Sequence, residues 1–236
     1  MPATARDPIM RAMSIPRFLL HYAPRSRAGR ALWLLEESGA PYELIVHDFA
    51  RSTHKEPEYL AVNPDGKLPA LVDRGPGIGA PDWPVVVTES SAVCAYIADL
   101  VPEAKLAPPL GSPDRAAYLT WLAYVPAAIE PAFADLVFAR EKPAPAGAMG
   151  WPPFAVVIQR IASALDPRDD DAPYLLGAQF TAADLMVGGM LQWLKAWGKL
   201  PEHASIDRYL ATLEKRPALH RARAKEAEVL ASQGKT

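Results

Sequence analysis

Two short stretches hold the residues with the clearest chemical use: Asn63-Pro64-Asp65-Gly66-Lys67-Leu68-Pro69-Ala70-Leu71 and Thr88-Glu89-Ser90-Ser91. Pro69 removes a donor from the strand that it opens and is able to hold a cis bond, so it turns the main chain around Leu68 outward. A helix entered at Glu89-Ser90 offers unpaired N–H groups and the positive end of a dipole, which suits a carboxylate. Upstream, His54 and Lys55 read on their own as a solvated polar loop. An exposed strand edge beside a carboxylate pocket at a helix start matches a small acidic peptide. Either half alone reads as an ordinary edge strand, an ordinary helix start or a solvated charge run. Their order along the chain makes the combination specific.

The elements that must position these residues are set by local signals. Residues 18–22 read as a first strand, ended by Ala23-Pro24. Ser26 is the expected N-cap of a helix through Glu37, closed at Gly39 with Pro41 beyond. Residues 42–46 alternate as a second strand, and 51–60 hold one short helical piece. Residues 68–72 and 85–88 form a hairpin across a long Gly/Pro loop at 74–84, and 91–100 is an apolar helix. The order β-α-β-(α)-β-β-α is that of one small α/β layer unit.

After Leu100 the pattern changes. Residues 102–109 have the composition of a linker, and the chain beyond them reads as helix. A long helix opens at Ser112-Pro113-Asp114, and Pro126 and Pro131 should kink or divide it. Further helices are expected over 154–165, 182–197, 206–215 and 217–230, with an Ala/Pro loop at 142–153. Thr181-Ala182-Ala183-Asp184 resembles a capping box with Asp in place of Glu. The expected fold class is therefore α/β plus all-α, with a first unit at 14–104 and an all-helical one at 110–230.

Bulk properties bound the alternatives. The chain has 236 residues, 50% of them hydrophobic and 22% charged, which is ordinary for a globular protein with a real core. A net charge of -2 gives no reason to expect nucleic acid or an anionic membrane as a partner. No apolar run reaches the length of a membrane span, and residues 1–13 read as a loose tail without the apolar core of a signal peptide. The single cysteine, Cys94, excludes an internal disulfide and a multi-cysteine metal site, and suits a cytoplasmic location. It falls in the apolar helix, where a buried packing thiol is the expectation. Asp169-Asp170-Asp171 reads as a solvated loop, and no metal site is expected.

The chain resembles the cytosolic glutathione S-transferases, in particular the phi-like class with its bacterial and fungal relatives. The resemblance covers about 18–224 and rests on Arg30-Ala31-Leu32-Trp33-Leu34-Leu35-Glu36-Glu37, the proline strand, Thr88-Glu89-Ser90-Ser91 and the capping-box helix. His54-Lys55-Glu56-Pro57-Glu58-Tyr59-Leu60 followed by Asn63-Pro64 adds to it. It implies a thioredoxin-like N-terminal domain, a helical C-terminal domain and glutathione as co-substrate. By that resemblance His54, Lys55 and Lys67 hold the glycine carboxylate, and Leu68 pairs main chain to main chain with the cysteinyl unit before a cis Pro69. Glu89 and Ser90 hold the γ-glutamyl group.

The implied reaction is attack of the glutathione thiolate on a small apolar electrophile, in a homodimeric detoxification enzyme. A glutathione-dependent peroxidase or isomerase, and a non-catalytic module on the same scaffold, are the alternatives. Such attack requires the thiol pKa to fall from about 8.5 towards neutrality. Ser26 can offer a hydroxyl and the helix dipole. Counted back from Gly39, however, Arg25 falls at the phi-type serine position, so Arg25 and Arg27 are alternatives, with Tyr22 as in tyrosine-type relatives. Trp121, Tyr124 and Phe133 are candidates for an apolar co-substrate pocket or for core. Asp184 is a structural cap.

Overall fold

The computed structural model describes residues 15–77, 80–138, 141–142, 145 and 147–234. The expected tail at 1–13 lies outside the described residues, as does part of the expected loop at 142–153. Four strands, β1 (Phe18–Tyr22), β2 (Tyr42–Val46), β3 (Ala70–Asp73) and β4 (Val85–Thr88), form one sheet in the order β2-β1-β3-β4. β1 runs parallel to β2 and antiparallel to β3, and β3 is antiparallel to β4. With helices α1 (Ala28–Ser38), α2 (Pro57–Leu60) and α3 (Ser90–Leu100), this is the thioredoxin-like arrangement.

The period-two alternation of β1 sorts its side chains. Phe18, Leu20 and Tyr22 are buried in one core with Ala31, Leu32, Leu34 and Leu35 of α1 and Val93, Cys94 and Ile97 of α3. Leu19 and His21 take the opposite face, where with Ile45, Val72 and Tyr59 they line a cavity of 760 Å³. α1 ends where the sequence predicts: Gly39 has φ 67 and donates its N–H to Leu35 O at 3.1 Å.

The rest is helical: α4 (Asp114–Tyr124), α5 (Glu130–Val137), α6 (Phe154–Leu165), α7 (Ala182–Ala196), α8 (Ala204–Leu213) and α9 (Pro217–Gln233). Between α4 and α5 the chain passes through a π-helical segment, Val125–Ile129, which begins one residue before Pro126 and ends two before Pro131. The missing proline N–H groups account for this break in the regular ladder. The capping box is formed as expected: Asp184 accepts the Thr181 N–H at 2.9 Å and also the Leu175 N–H at 2.8 Å.

The two halves are fastened by ion pairs. Arg216 forms a bidentate pair with Glu37 at 2.6 and 2.7 Å and lies 3.6 Å over the Phe180 ring. Arg30, buried on α1, reaches Glu130 at 2.7 Å.

Several element ends differ from expectation. The third strand starts at Ala70, not Leu68, because Pro69 has no N–H to give the ladder. The hairpin loop is anchored by buried Asp73, which accepts two bonds from Arg17 and one each from Gly75 N and Tyr96 Oη. Helix α1 starts at Ala28 with Arg27 as its N-cap, so Ser26, the expected cap, stands one position before the observed one. α8 begins at Ala204, two residues before the expected start, and α9 runs on to Gln233.

Candidate functional site

The strand register gathers the predicted residues. Ala70 pairs with His21 on one side and Thr88 on the other. One step beyond that pairing stand Pro69 before β3 and Glu89 after β4, beside Tyr22 at the end of β1. Tyr22 also pairs with Val46, the last residue of β2, from which the chain continues to His54 and Lys55. One end of the sheet therefore receives Leu68, Pro69, Glu89, Ser90 and the β1–α1 loop.

The Leu68–Pro69 peptide is cis, and Leu68 lies outside the β3 ladder. The segment before it is braced from behind. The Lys67 carbonyl accepts the Asn63 amide at 2.8 Å and the Tyr59 hydroxyl. Tyr59 packs on His47 at 4.4 Å and on His21 at 4.9 Å between ring centroids. His21 Nδ1 and His47 Nε2 share a hydrogen bond at 2.9 Å, and burial holds both rings below the usual imidazole pKa, His21 at about 4.

His54, Lys55 and Lys67 form one group, with the two lysines as its charged members at neutral pH. His54 is half-buried, its Nδ1 has no hydrogen-bond partner, and its pKa is lowered by desolvation and then by the charges of Lys55 and Lys67. Lys55 Nζ donates to the Asp65 carbonyl at 2.9 Å. Gly66, at φ 58, lets the two approach: a Cβ there would fall 2.6 Å from Lys55 Nζ.

At the opposite end, Glu89 stands exposed with φ 67 and ψ 126, a conformation that a non-glycine residue seldom adopts. Buried Ser90 opens α3, whose first N–H groups have no partner within the helix. Strain of this kind persists only where surrounding structure fixes it, and here β4 and the Val93 N–H to Glu89 O bond of 2.8 Å do so.

The β1–α1 loop presents four groups. Ser26 Oγ donates to the Ala23 carbonyl at 2.6 Å and accepts the Ala28 N–H at 3.1 Å. Arg27 pairs with Glu130 at 2.7 Å. Tyr22 is buried and donates to Glu226 at 2.8 Å, and burial with that bond raises its pKa far above the ordinary phenol value. Arg25 is exposed, with φ 54. Arg25 and Ser26 line a cavity of 230 Å³ with residues of α1, α7 and α9, among them Trp193 and Glu226.

Cys94 is fully buried, and burial pushes its thiol up to about 12, so it is inert packing. Asp169 accepts the N–H groups of Asp171 and Ala172 in a turn. Among the described residues no group of acids, histidines or cysteine has metal-ligand geometry. Trp121 and Tyr124 are buried in edge-to-face contact, with Arg160 lying 4.2 Å over Tyr124. Phe133 stacks on Trp197 at 5.5 Å. Trp121 and Tyr124 thus belong to the core, whereas Phe133 is half-buried against exposed Trp197. Sequence reasoning quoted Tyr59 and Asn63 within motifs but not their bonds to the Lys67 carbonyl, and it missed Glu226 and the histidine pair, which carry no local signal.

Comparison with known proteins places this geometry. The family description "Glutathione S-transferase, N-terminal domain" matches residues 26–100, and "Glutathione S-transferase, C-terminal domain" matches 139–224. Glutathione S-transferase 3 of Zea mays is 32% identical over 171 residues, 66% of this chain and 68% of that protein. The disulfide-bond oxidoreductase YfcG of Escherichia coli (strain K12) is 26% identical over 203 residues, 84% of this chain and 91% of that protein. A sphingomonad glutathione S-transferase solved in complex with glutathione has 28% identity and a TM-score of 0.68, with 89% of this chain and 98% of that chain covered.

Proposed function

Because this chain belongs to the glutathione S-transferase family, we propose that it binds glutathione at this end of the sheet and directs the thiolate at a small apolar electrophile. The observation that carries the reading is the convergence of two unlike charge environments on one strand edge. His54, Lys55 and Lys67 face the glycine carboxylate. Glu89 takes the γ-glutamyl ammonium, while Ser90 and the first N–H groups of α3 take the neighbouring carboxylate. Leu68 and Pro69 lie between them, with the Leu68 main chain free of the β3 ladder to pair with the cysteinyl unit. Glutathione is the co-substrate, and no metal takes part.

The thiol loses its proton to solvent on binding, and the thiolate then forms a carbon–sulfur bond as the electrophile's leaving group departs with its electron pair. The protein supplies binding, orientation and thiolate stabilisation. Thiol activation is assigned to the β1–α1 loop, which holds Ser26. The units 14–104 and 110–230, a homodimer, a cytoplasmic location and a role in detoxification belong to the same proposal.

A second reading, reduction of a disulfide by glutathione, is favoured by the similarity to YfcG. A buried thiol raised to about 12 cannot exchange, so the attacking sulfur would come from glutathione. Turnover with a halogenated nitrobenzene and with a small mixed disulfide separates the two. Conjugation without disulfide reduction supports the first reading, and the reverse supports the second.

A further inference from the structure

We propose that the 760 Å³ cavity on the face of the sheet turned away from α1 and α3 is a separate binding site for a small organic ammonium with an apolar body. Its size falls among cavities that hold small molecules, roughly 300–1,000 Å³. The alternation that buries Phe18, Leu20 and Tyr22 sends Leu19 and His21 here, and Ile45, Val62 and Val72 complete an apolar wall. The end of α9 closes one side, where Gln233 Nε2 donates to the His47 carbonyl at 3.3 Å. None of the residues proposed to hold glutathione lines this cavity, so the inference goes beyond that reading and does not depend on it.

One polar group in the cavity is left half satisfied. His21 is only 6% exposed, and its Nδ1 is taken by His47 Nε2 at 2.9 Å. Its Nε2 has no hydrogen bond among the described residues, yet it is not sealed from solvent. A nitrogen so placed calls for a partner, since a polar atom removed from bulk water without one is costly. Burial keeps both rings neutral, so neither repels a cation. An N–H donor selects the tautomer in which His21 Nδ1 gives its proton to His47 and Nε2 keeps its lone pair. His47 then carries its own proton on Nδ1, 3.4 Å from Thr53 Oγ1.

The charged lining decides the sign of the ligand. Asp48, Glu56 and Glu58 line the cavity against Arg51 alone. Asp48 accepts the N–H groups of Ala50 and Arg51, which leaves its charge in place. Glu56 and Glu58 are exposed, and among the described residues neither has an ion pair. Nearby cations are engaged elsewhere: Lys55 reaches the Asp65 carbonyl, and Arg74 is paired with Glu43. An anion is repelled here, and an uncharged apolar compound leaves the acids and His21 Nε2 unmet. An ammonium supplies the N–H donor and the opposite charge together, while its apolar body covers Leu19, Ile45 and Val72.

The test is calorimetric titration of the intact protein at pH 7 with hexylammonium, against hexanol and hexanoate as neutral and anionic probes, without and with saturating glutathione. The expected result is one saturable site per chain that takes hexylammonium at least about tenfold more tightly than either control, whether or not glutathione is present. Glu56→Gln combined with Glu58→Gln should weaken it roughly three- to tenfold, the worth of two exposed charges. Ile45→Trp, at an exposed position on an edge strand, should fill the cavity and abolish binding. The nitrogen resonance of His21 Nε2 should move during the titration. Equal binding of hexanol overturns the ammonium assignment, as does an affinity indifferent to the two acids. An unmoved His21 resonance or no saturable heat overturns the site itself. Displacement by glutathione overturns it too, by moving the ammonium to the Glu89 end of the other site. None of these outcomes requires that the protein bind glutathione, so the two readings fail separately.

Discussion

Tyr22 Oη donates to Glu226 Oε2 at 2.8 Å, fastening the end of the first strand to the last helix. This bond makes Tyr22 a structural residue although it stands beside the candidate site. Tyr22→Phe should lower stability by about 1.5–3 kcal/mol, the usual worth of a hydrogen bond to a charged group. Glutathione-dependent turnover should stay within about twofold of the unaltered protein. Denaturant titration and steady-state kinetics read the two effects, and a hundredfold loss of turnover would return Tyr22 to the catalytic candidates.

Asp184 is fully buried and takes hydrogen bonds from Leu175 N, Thr181 N, Thr181 Oγ1 and Tyr209 Oη. Removing it orphans three donors, leaves Tyr209 Oη only the Asp184 main-chain carbonyl, and unties the chain that leads into α7. Asp184→Ala should cost about 3 kcal/mol or more, with Asp184→Asn recovering part of that loss. Urea midpoints of the two variants check the order; equal midpoints would contradict it.

Acid should act through the histidine pair. His21 and His47 titrate below their unfolded value of 6.5, His21 at about 4, because burial disfavours the charged rings. A depressed folded pKa contributes stability that is full above pH 6.5 and is lost as the pH falls towards 4. Thermal melts from pH 7 to pH 4 should therefore show a falling midpoint, with a shallower fall in His21→Asn. Identical slopes would mean that the pair is not linked to folding.

Tyr59 and Asn63 hold the Lys67 carbonyl, so they fix the main chain that precedes Leu68. Tyr59→Phe keeps the ring against His21 and His47 but frees one bond on that carbonyl. The expected outcome is a rise of roughly three- to tenfold in the KM for glutathione with kcat little changed, as for a loss of uniform binding. A fall in kcat with KM unchanged would place Tyr59 in another role.

Local signals carried most of the fold. Gly39 stops α1 because a left-handed residue was needed after an amphipathic run, and Thr181-Ala182-Ala183-Asp184 caps α7 through bonds within four residues. Pro126 and Pro131 marked the break between α4 and α5. The remainder depends on partners far apart in the chain. Asp73 meets Arg17 and Tyr96, His21 meets His47, and Tyr22 meets Glu226, and none of these pairs leaves a periodic trace. The same limit applied at the site. His54, Lys55, Lys67, Leu68, Pro69, Glu89 and Ser90 could be named from spacing and resemblance. The engagement of Ser26 with Ala23 and Ala28, and of Arg27 with Glu130, required the folded loop.

The central claim is that glutathione occupies the strand edge between the cationic group and the start of α3. Isothermal titration of the intact protein with glutathione at pH 7 tests it most directly, repeated with Ser90→Ala. The account predicts a saturable site on each chain, weakened roughly tenfold in the variant by loss of one hydrogen bond to a carboxylate. No saturable heat at millimolar glutathione, or an affinity indifferent to Ser90, would contradict it.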